Sequence, residues 1–426
     1  APNGGSSGRR LSINLDASKK DAVPTTAWGA PASSDSGSTF VSVLAASNSG
    51  ESLTAEKVAV EPAQERAYEE LAVLLGRGAC NGGGAEDGDF GGLGVWKGGE
   101  YGDVNSEPGL AAWAGTGALG VVVGIRSRTE QIRTSFCTKM TQCVGELDLA
   151  RSGIGCACRK GLKRESPNQD SWCVLKVAGQ VSVYGVFDGH GHHGHDVSDF
   201  VAERLPGLVL ADARLKEGVK GTAAALRDAF RKTQALISAA TEASMLDARD
   251  SGTTATLVVH DCKTGRLMVA HVGDSGCCLG RPGDGRWSSF RHGGTSVPLT
   301  WDHKPNVQQE RERIESSGGY VIRDGFNNWR VFSRNANGPG LNMSRALGDL
   351  KGHRSAGISA EPTIREHNLC ADDKVLIICS DGVWEFIETA QAVGLVSGFG
   401  ATRAGEAAEL LAAEAWDRWV TEEDGE

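Results

Sequence analysis

The chain has 426 residues, enough for one large domain or two ordinary ones. Its formal net charge of -10 argues against a general nucleic-acid binder. No stretch approaches the roughly 18 consecutive apolar residues of a membrane-spanning helix, so no membrane association is expected.

In chain order, residues 1–135 are rich in Gly, Ser and Ala, and the stretch from Gly78 to Gly102 is especially dense in glycine. Such a composition buries too little apolar surface to offset chain entropy, so this segment is expected to be mostly disordered. A short helix is compatible with Ala55–Leu75. Arg9-Arg10-Leu11-Ser12 has the form of a basophilic kinase site, although an incidental basic turn is the preferred reading. The chain opens on Ala1, so it reads as a processed or partial chain.

From about Gly153 the pattern changes. Strand-like runs fall at Cys173–Val177, Val181–Phe187, Thr254–Val259, Leu267–Val272 and Val375–Cys379. Helical patterns fall at Val197–Leu208, where Pro206 disturbs the end, and at Leu226–Ala240. A third helix is predicted from near Pro305 through Ile314, a fourth from about Thr389 and a fifth over Arg403–Trp419. The strands pair as hairpins (173–177 with 181–187, and 254–259 with 266–272) rather than alternating with helices. This favours antiparallel sheets with helices outside, an α+β layered fold. The eleven cysteines are scattered, several within apolar runs, with no Cys-x-x-Cys pair. They read as free thiols of a reducing intracellular compartment, cytoplasmic or nuclear, and not as a disulfide framework or a zinc site.

Three of the apolar runs each end in an aspartate beside a glycine: Asp188-Gly189, Gly273-Asp274 and Asp381-Gly382. Each lifts a carboxylate out of the core onto its rim, and three such endings suggest carboxylates gathered around hard cations, which prefer oxygen ligands. The densest motif is Asp188-Gly-His-Gly-His-His-Gly-His195. His190 could supply a proton near neutral pH. His192, His193 and His195 are read as a polar loop, in preference to a transition-metal site. Asp170, alone, would be a turn residue. Arg159, Lys160, Lys163 and Arg164 form a basic cluster, either a solvated face or a clamp for phosphate. Ser251–Thr256 reads as a tight sheet segment, and Asp302 as a helix-capping residue before Pro305. No Cys-x5-Arg loop and no Gly-x4-Gly-Lys-Ser/Thr loop is present, which disfavours a cysteine phosphatase and a P-loop nucleotidase.

Together these residues resemble the metal-dependent serine/threonine protein phosphatases of the PPM or type 2C family, in wording most like plant, algal or protist members. The resemblance rests on Ser166-Pro-Asn-Gln-Asp170, Val186-Phe-Asp-Gly-His-Gly191, Ser251-Gly-Thr-Thr-Ala255, Val272-Gly-Asp-Ser275 and Leu299–Pro305. It continues through Glu315–Gly319, Met343-Ser-Arg-Ala-Leu-Gly-Asp349, Glu361-Pro362 and Ser380-Asp-Gly-Val-Trp384. It implies a layered α-β-β-α sandwich of two antiparallel sheets flanked by helices, with residues 136–426 as the phosphatase domain. It implies hydrolysis of phosphoserine and phosphothreonine in proteins by a water bridging two Mg²⁺ or Mn²⁺ ions. Asp188 would bridge both ions, the Gly189 carbonyl would bind one and Asp381 the other, and Asp170 would hold a metal-bound water. Asp274 matches a weaker third site, His190 the general acid, and Arg164 or next Lys163 the phosphate contact. The expected partners are phosphorylated proteins, met by a monomer.

One departure stands out. The family ends with a second Asp leading into a final core strand, whereas this chain stops at Glu422-Glu-Asp-Gly-Glu426 after the preceding helix. The domain is therefore expected to be C-terminally incomplete and to lack its last core strand. The alternative function is then an inactive phosphatase-like binding protein or a truncated product.

Overall fold

A computed structural model of the protein describes residues 38–44, 119–124, 140–144, 147–160, 167–282, 295–324, 328–335 and 338–423. Its strands, in chain order, begin with β1 (Ser38–Leu44), β2 (Leu119–Gly124), β3 (Met140–Val144), β4 (Ile154–Lys160), β5 (Asp170–Val177) and β6 (Val181–His190). Next come β7 (Gly252–Thr253), β8 (Ala255–Asp261), β9 (Arg266–Val272), β10 (Gly276–Arg281) and β11 (Thr295–Pro298). The series ends with β12 (Gly319–Arg323), β13 (Trp329–Ser333), β14 (Pro339–Leu341), β15 (Leu347–Gly348), β16 (Thr363–Asn368) and β17 (Val375–Cys379). The helices are α1 (Gly194–Leu210), α2 (Gly218–Glu242), α3 (Gln308–Ser316), α4 (Leu350–Ser355), α5 (Asp381–Trp384), α6 (Thr389–Val396) and α7 (Ala404–Glu423).

Two antiparallel sheets dominate. One runs β11-β10-β17-β1-β4, and the other β16-β9-β8-β6-β5-β2-β3 with β7 and β15 appended at β6. The predicted hairpins form as expected: β5 pairs β6 and β8 pairs β9, both antiparallel. Period-two alternation sorts each strand's residues to two faces. Trp172, Val174, Tyr184, Val186 and Val269 pack with Cys277, Leu279, Leu376 and Ile378 of the other sheet. From the opposite face, Cys173, Leu175, Val183 and Phe187 pack on Val197, Val201, Leu205, Leu226 and Phe230 of α1 and α2. On the far side, Ile377 and Cys379 pack on Val393, Leu411 and Ala415 of α6 and α7. Helices therefore cover the outer face of each sheet. Pro206 lies inside α1, which continues to Leu210. The third predicted helix begins later than Pro305, at Gln308, with Val307 in the capping position.

Two strands, β1 and β2, come from the stretch expected to be mostly disordered. β2 pairs with β5, and β1 lies between β17 and β4. The sequence Ser-Thr-Phe-Val-Ser-Val-Leu of β1 has the β-branched and aromatic content of a strand, which averaging over a Gly/Ser-rich segment conceals. β17 accordingly has a strand partner on each side, β10 and β1. The proposed helix at 55–75 and the kinase-like site at 9–12 lie outside the described residues.

A polar knot ties α3 to the segment before β15. Glu310 accepts from Arg345 Nη2 at 2.5 Å, from Arg313 Nη1 at 2.6 Å and from the Ser344 hydroxyl. Burial would raise its carboxyl, but these donors outweigh burial and hold it down at about 2. The same knot reaches the site below, because Ser344 N–H donates to the His303 carbonyl at 2.7 Å. Glu310→Gln is expected to destabilise the fold by roughly 2–4 kcal/mol at neutral pH, since it leaves two guanidinium groups short of their charge partner. The carboxylate's contribution is fully present above its unfolded value near 4.5 and is lost as pH falls towards 2. Urea unfolding of both proteins from pH 7 down to pH 3 should therefore find the gap between them narrowing.

Candidate active site

Four aspartates meet at one end of the two sheets. Asp170 opens β5 and Asp188 lies near the end of β6, and the ladder register sets them opposite each other. Asp381 follows β17 after a single residue, Ser380, and Asp274 lies in the turn between β9 and β10. Their exposures are only 0% for Asp170, 5% for Asp188, 2% for Asp274 and 4% for Asp381, so the carboxylates face one another and not water. Burial, then the charges of Asp170 and Asp381, push the Asp188 carboxyl far above the usual carboxylate range. Burial and Asp274 push Asp381 up to about 6, against the pull of Lys304.

The local backbone explains the convergence. Asp188 N–H donates to Thr254 Oγ1 at 3.0 Å, and Thr254 N–H donates back to the Asp188 carbonyl at 2.8 Å. Thr254 Oγ1 lies 2.6 Å from Ser275 Oγ, and the Thr256 hydroxyl donates to the Ser275 carbonyl at 2.6 Å. Ser251–Thr256 is thus a tight sheet segment, as read, but one that fastens the Asp188 strand to the Asp274 turn. Asn168 Oδ1 accepts from Asp170 N–H at 3.1 Å, and Gly189 N–H donates to the Gln169 carbonyl at 3.1 Å. A Cβ at Gly189 would meet the Gly194 carbonyl oxygen at 2.2 Å, so the close approach its glycine permits is to the start of α1.

His190 and Asp349 form a second unit. His190 Nε2 lies 2.7 Å from Asp349 Oδ2, and both residues are buried. Burial would lower the imidazole pKa; the Asp349 charge and hydrogen bond, with Asp274 and Asp381, outweigh burial and raise it. Asp349 sits at φ +45°, an unusual conformation for a residue with a side chain, and its N–H donates to the Ser251 carbonyl at 2.8 Å. A Cβ on Gly252 would come within 2.1 Å of Asp349 Oδ2, so glycine there makes room for the carboxylate. Asp349 carried no assigned role in the sequence; its only signal was its place at the end of Met343–Asp349.

Two further residues went unrecognised. Lys304 Nζ bonds Asp274 Oδ2 at 2.5 Å, bringing a cation into the cluster. Asp302 does not cap α3 but stands exposed at the rim. Surrounding protein, then the charges of Asp274 and Asp381, raise its carboxyl against Lys304, and its open surface screens that shift. The Asp302–Pro305 segment is clasped through His303, whose Nδ1 accepts from Gly273 N–H at 3.1 Å and whose ring stacks 4.5 Å from His271. Burial keeps both imidazoles neutral, pushing His303 down to about 2 and His271 to about 4.

His192, His193 and His195 lie outside the carboxylate group: His192 is exposed, and the other two approach Asp196 at 3.5 and 3.6 Å. Arg159, on β4, faces the charges of Glu409 and Asp417 on α7. Arg164 and Lys163 lie outside the described residues.

Among the described residues, no three Asp, Glu, His or Cys side chains are already gathered at the distances of a closed metal cage. The donor chemistry nevertheless fits hard divalent cations. Among the described residues, Oδ1 of Asp274 and Oδ1 of Asp381 are buried with no hydrogen-bond partner, and the converging carboxylates offer oxygen ligands. Mg²⁺ or Mn²⁺ is therefore expected to raise the melting temperature of the chain by relieving carboxylate repulsion. Asp381→Asn should melt higher than wild type without added cation and gain less on adding it, as read by thermal unfolding.

A family model described as Protein phosphatase 2C matches residues 161–423. The chain is 36% identical over 231 residues to "Probable protein phosphatase 2C 48" of Oryza sativa subsp. japonica, covering 50% of this chain and 63% of that protein. It is 32% identical over 240 residues to "Probable protein phosphatase 2C 59" of Arabidopsis thaliana, covering 56% of this chain and 66% of that protein. The chain thus spans just under two thirds of the length of these relatives. A solved serine-threonine phosphatase 2C from Toxoplasma gondii aligns with a TM-score of 0.48 at 22% identity, over 60% of this chain and 86% of that one.

Proposed function

The chain belongs to the protein phosphatase 2C family, and on that footing we propose that it hydrolyses phosphoserine and phosphothreonine in proteins at the buried aspartate cluster. The observation that carries this reading is the convergence of Asp170, Asp188, Asp274 and Asp381 beside the His190–Asp349 pair. Asp188, Asp381 and the Gly189 carbonyl would hold two Mg²⁺ or Mn²⁺ ions, Asp170 a coordinated water, and Asp274 a weaker third ion. Bound there, such ions activate water and neutralise charge on the phosphoryl oxygens.

The remaining work falls to the chain's own groups. The Asp349 carboxylate accepts from Nε2 of protonated His190 and fixes the ring. Nδ1 of the same ring has no hydrogen-bond partner among the described residues. It is the nitrogen that would deliver a proton to the departing serine or threonine oxygen. Lys304 stabilises the Asp274 carboxylate at the mouth. Arg164, or Lys163, would hold the substrate phosphate from outside the described residues.

The purified chain is expected to release phosphate from a phosphothreonine peptide only with Mn²⁺ or Mg²⁺. Turnover that survives excess chelator would refute the reading, and cation binding without turnover would favour the phosphatase-like binding protein instead. Asp188→Asn should lose activity by roughly 10² or more.

General acid catalysis is worth about 10²–10⁴ in rate, and most for poor leaving groups. His190→Gln and Asp349→Asn should therefore slow a phosphopeptide much more than an activated aryl phosphate. Equal slowing of both substrates would reduce the pair to a structural role.

A further inference from the structure

We propose that the working unit of this phosphatase fold begins far upstream of the matched region, with Ser38–Leu44 threaded in cis as a strand on which the carboxylate end depends. β1 pairs with β4 over its full length, from Ser38↔Lys160 to Leu44↔Ile154. On its other side it pairs with β17, from Val41↔Cys379 to Leu44↔Leu376. In this sheet, among the described residues, β4 has no strand partner other than β1. β17 leads through Ser380 to Asp381, and β4 leads through residues 161–169 to Asp170. β1 is thus the piece of sheet that joins the strand leading to Asp381 with β4, the strand that precedes Asp170 in the chain. Its antiparallel register sets its Ser38 end beside the Asp381 end of β17, so the upstream chain enters the sheet at the rim of the site. Helices α5 and α7 also lie against β1. Without it, β4 would leave the sheet, and the inner edge of β17 would expose unpaired N–H and C=O groups.

The register makes the proposal testable in the full chain. Ser42 stands opposite Cys156. Ser42→Cys, oxidised at high dilution, should form an intrachain disulfide between the introduced thiol and Cys156, identified by peptide mapping on a monomer-mass product. Val43→Cys, whose register partner is Gly155 and not Cys156, should not. Val41 has a partner on both sides, and Val41→Pro removes a ladder donor in mid-sheet. Its melting temperature should fall by about 5 °C or more, and its Mn²⁺ affinity by about tenfold as the segment carrying Asp381 loosens. A control Ala55→Pro, outside the strand, should leave both unchanged. Absence of the disulfide, a disulfide only between two chains, or a Val41→Pro protein that melts like wild type would each overturn the proposal. Cross-linking and melting need no turnover, so their outcome is separate from that of the phosphatase reading.

Discussion

The constraint on which the rest depends is electrostatic: four aspartates are buried together, facing one another. Two unit charges about 4 Å apart repel by roughly 4 kcal/mol even at an effective dielectric of about 20. A flexible loop would simply swing such groups apart into water. Here Asp170 and Asp188 are held by a ladder of eight register pairs, from Asp170↔Asp188 to Val177↔Val181. Asp381 is fixed to the end of a fully buried strand. The stacked sheets supply the rigidity, and the protons, Lys304 and the expected divalent cations answer the charge.

The surrounding polar architecture serves the same end. The threonines of Ser251–Thr256 stitch the strand of Asp188 to the turn of Asp274. His303 holds Asp302 and Lys304 against that turn, and Ser344, Arg345 and Glu310 hold His303. Neutral buried imidazoles suit this task, because each ring nitrogen can be matched to one backbone or hydroxyl group without another charge. His190 differs from His271 and His303 in being paired with a carboxylate.

The domain's organisation follows from its sheets, not from the chain's apparent compositional border. β1 and β2 come from a stretch otherwise rich in small residues, and each joins a sheet made of later segments. A boundary drawn where the composition changes would cut through both sheets.

The sequence by itself determined the hairpins, the amphipathic helices and the three strand-end aspartates, because apolar alternation and Asp-Gly endings are local signals. The run Val375–Cys379 ends where its apolar pattern ends, and Asp381 follows it in chain and in space. From its own neighbours Asp170 read as a turn residue, and only the family resemblance gave it a part in the site; the register sets it opposite Asp188. Asp349 lies 159 positions from its partner His190, and nothing near it in the chain announces that contact. Asp302 had the look of a cap, yet its neighbours are charges from two other segments. β1 was diluted by the glycines and serines around it, and its worth as a strand comes from partners at residues 154–160 and 376–379. Local pattern fixes which residues form elements; which carboxylate meets which imidazole is decided by long-range strand pairing, whose register no local window contains.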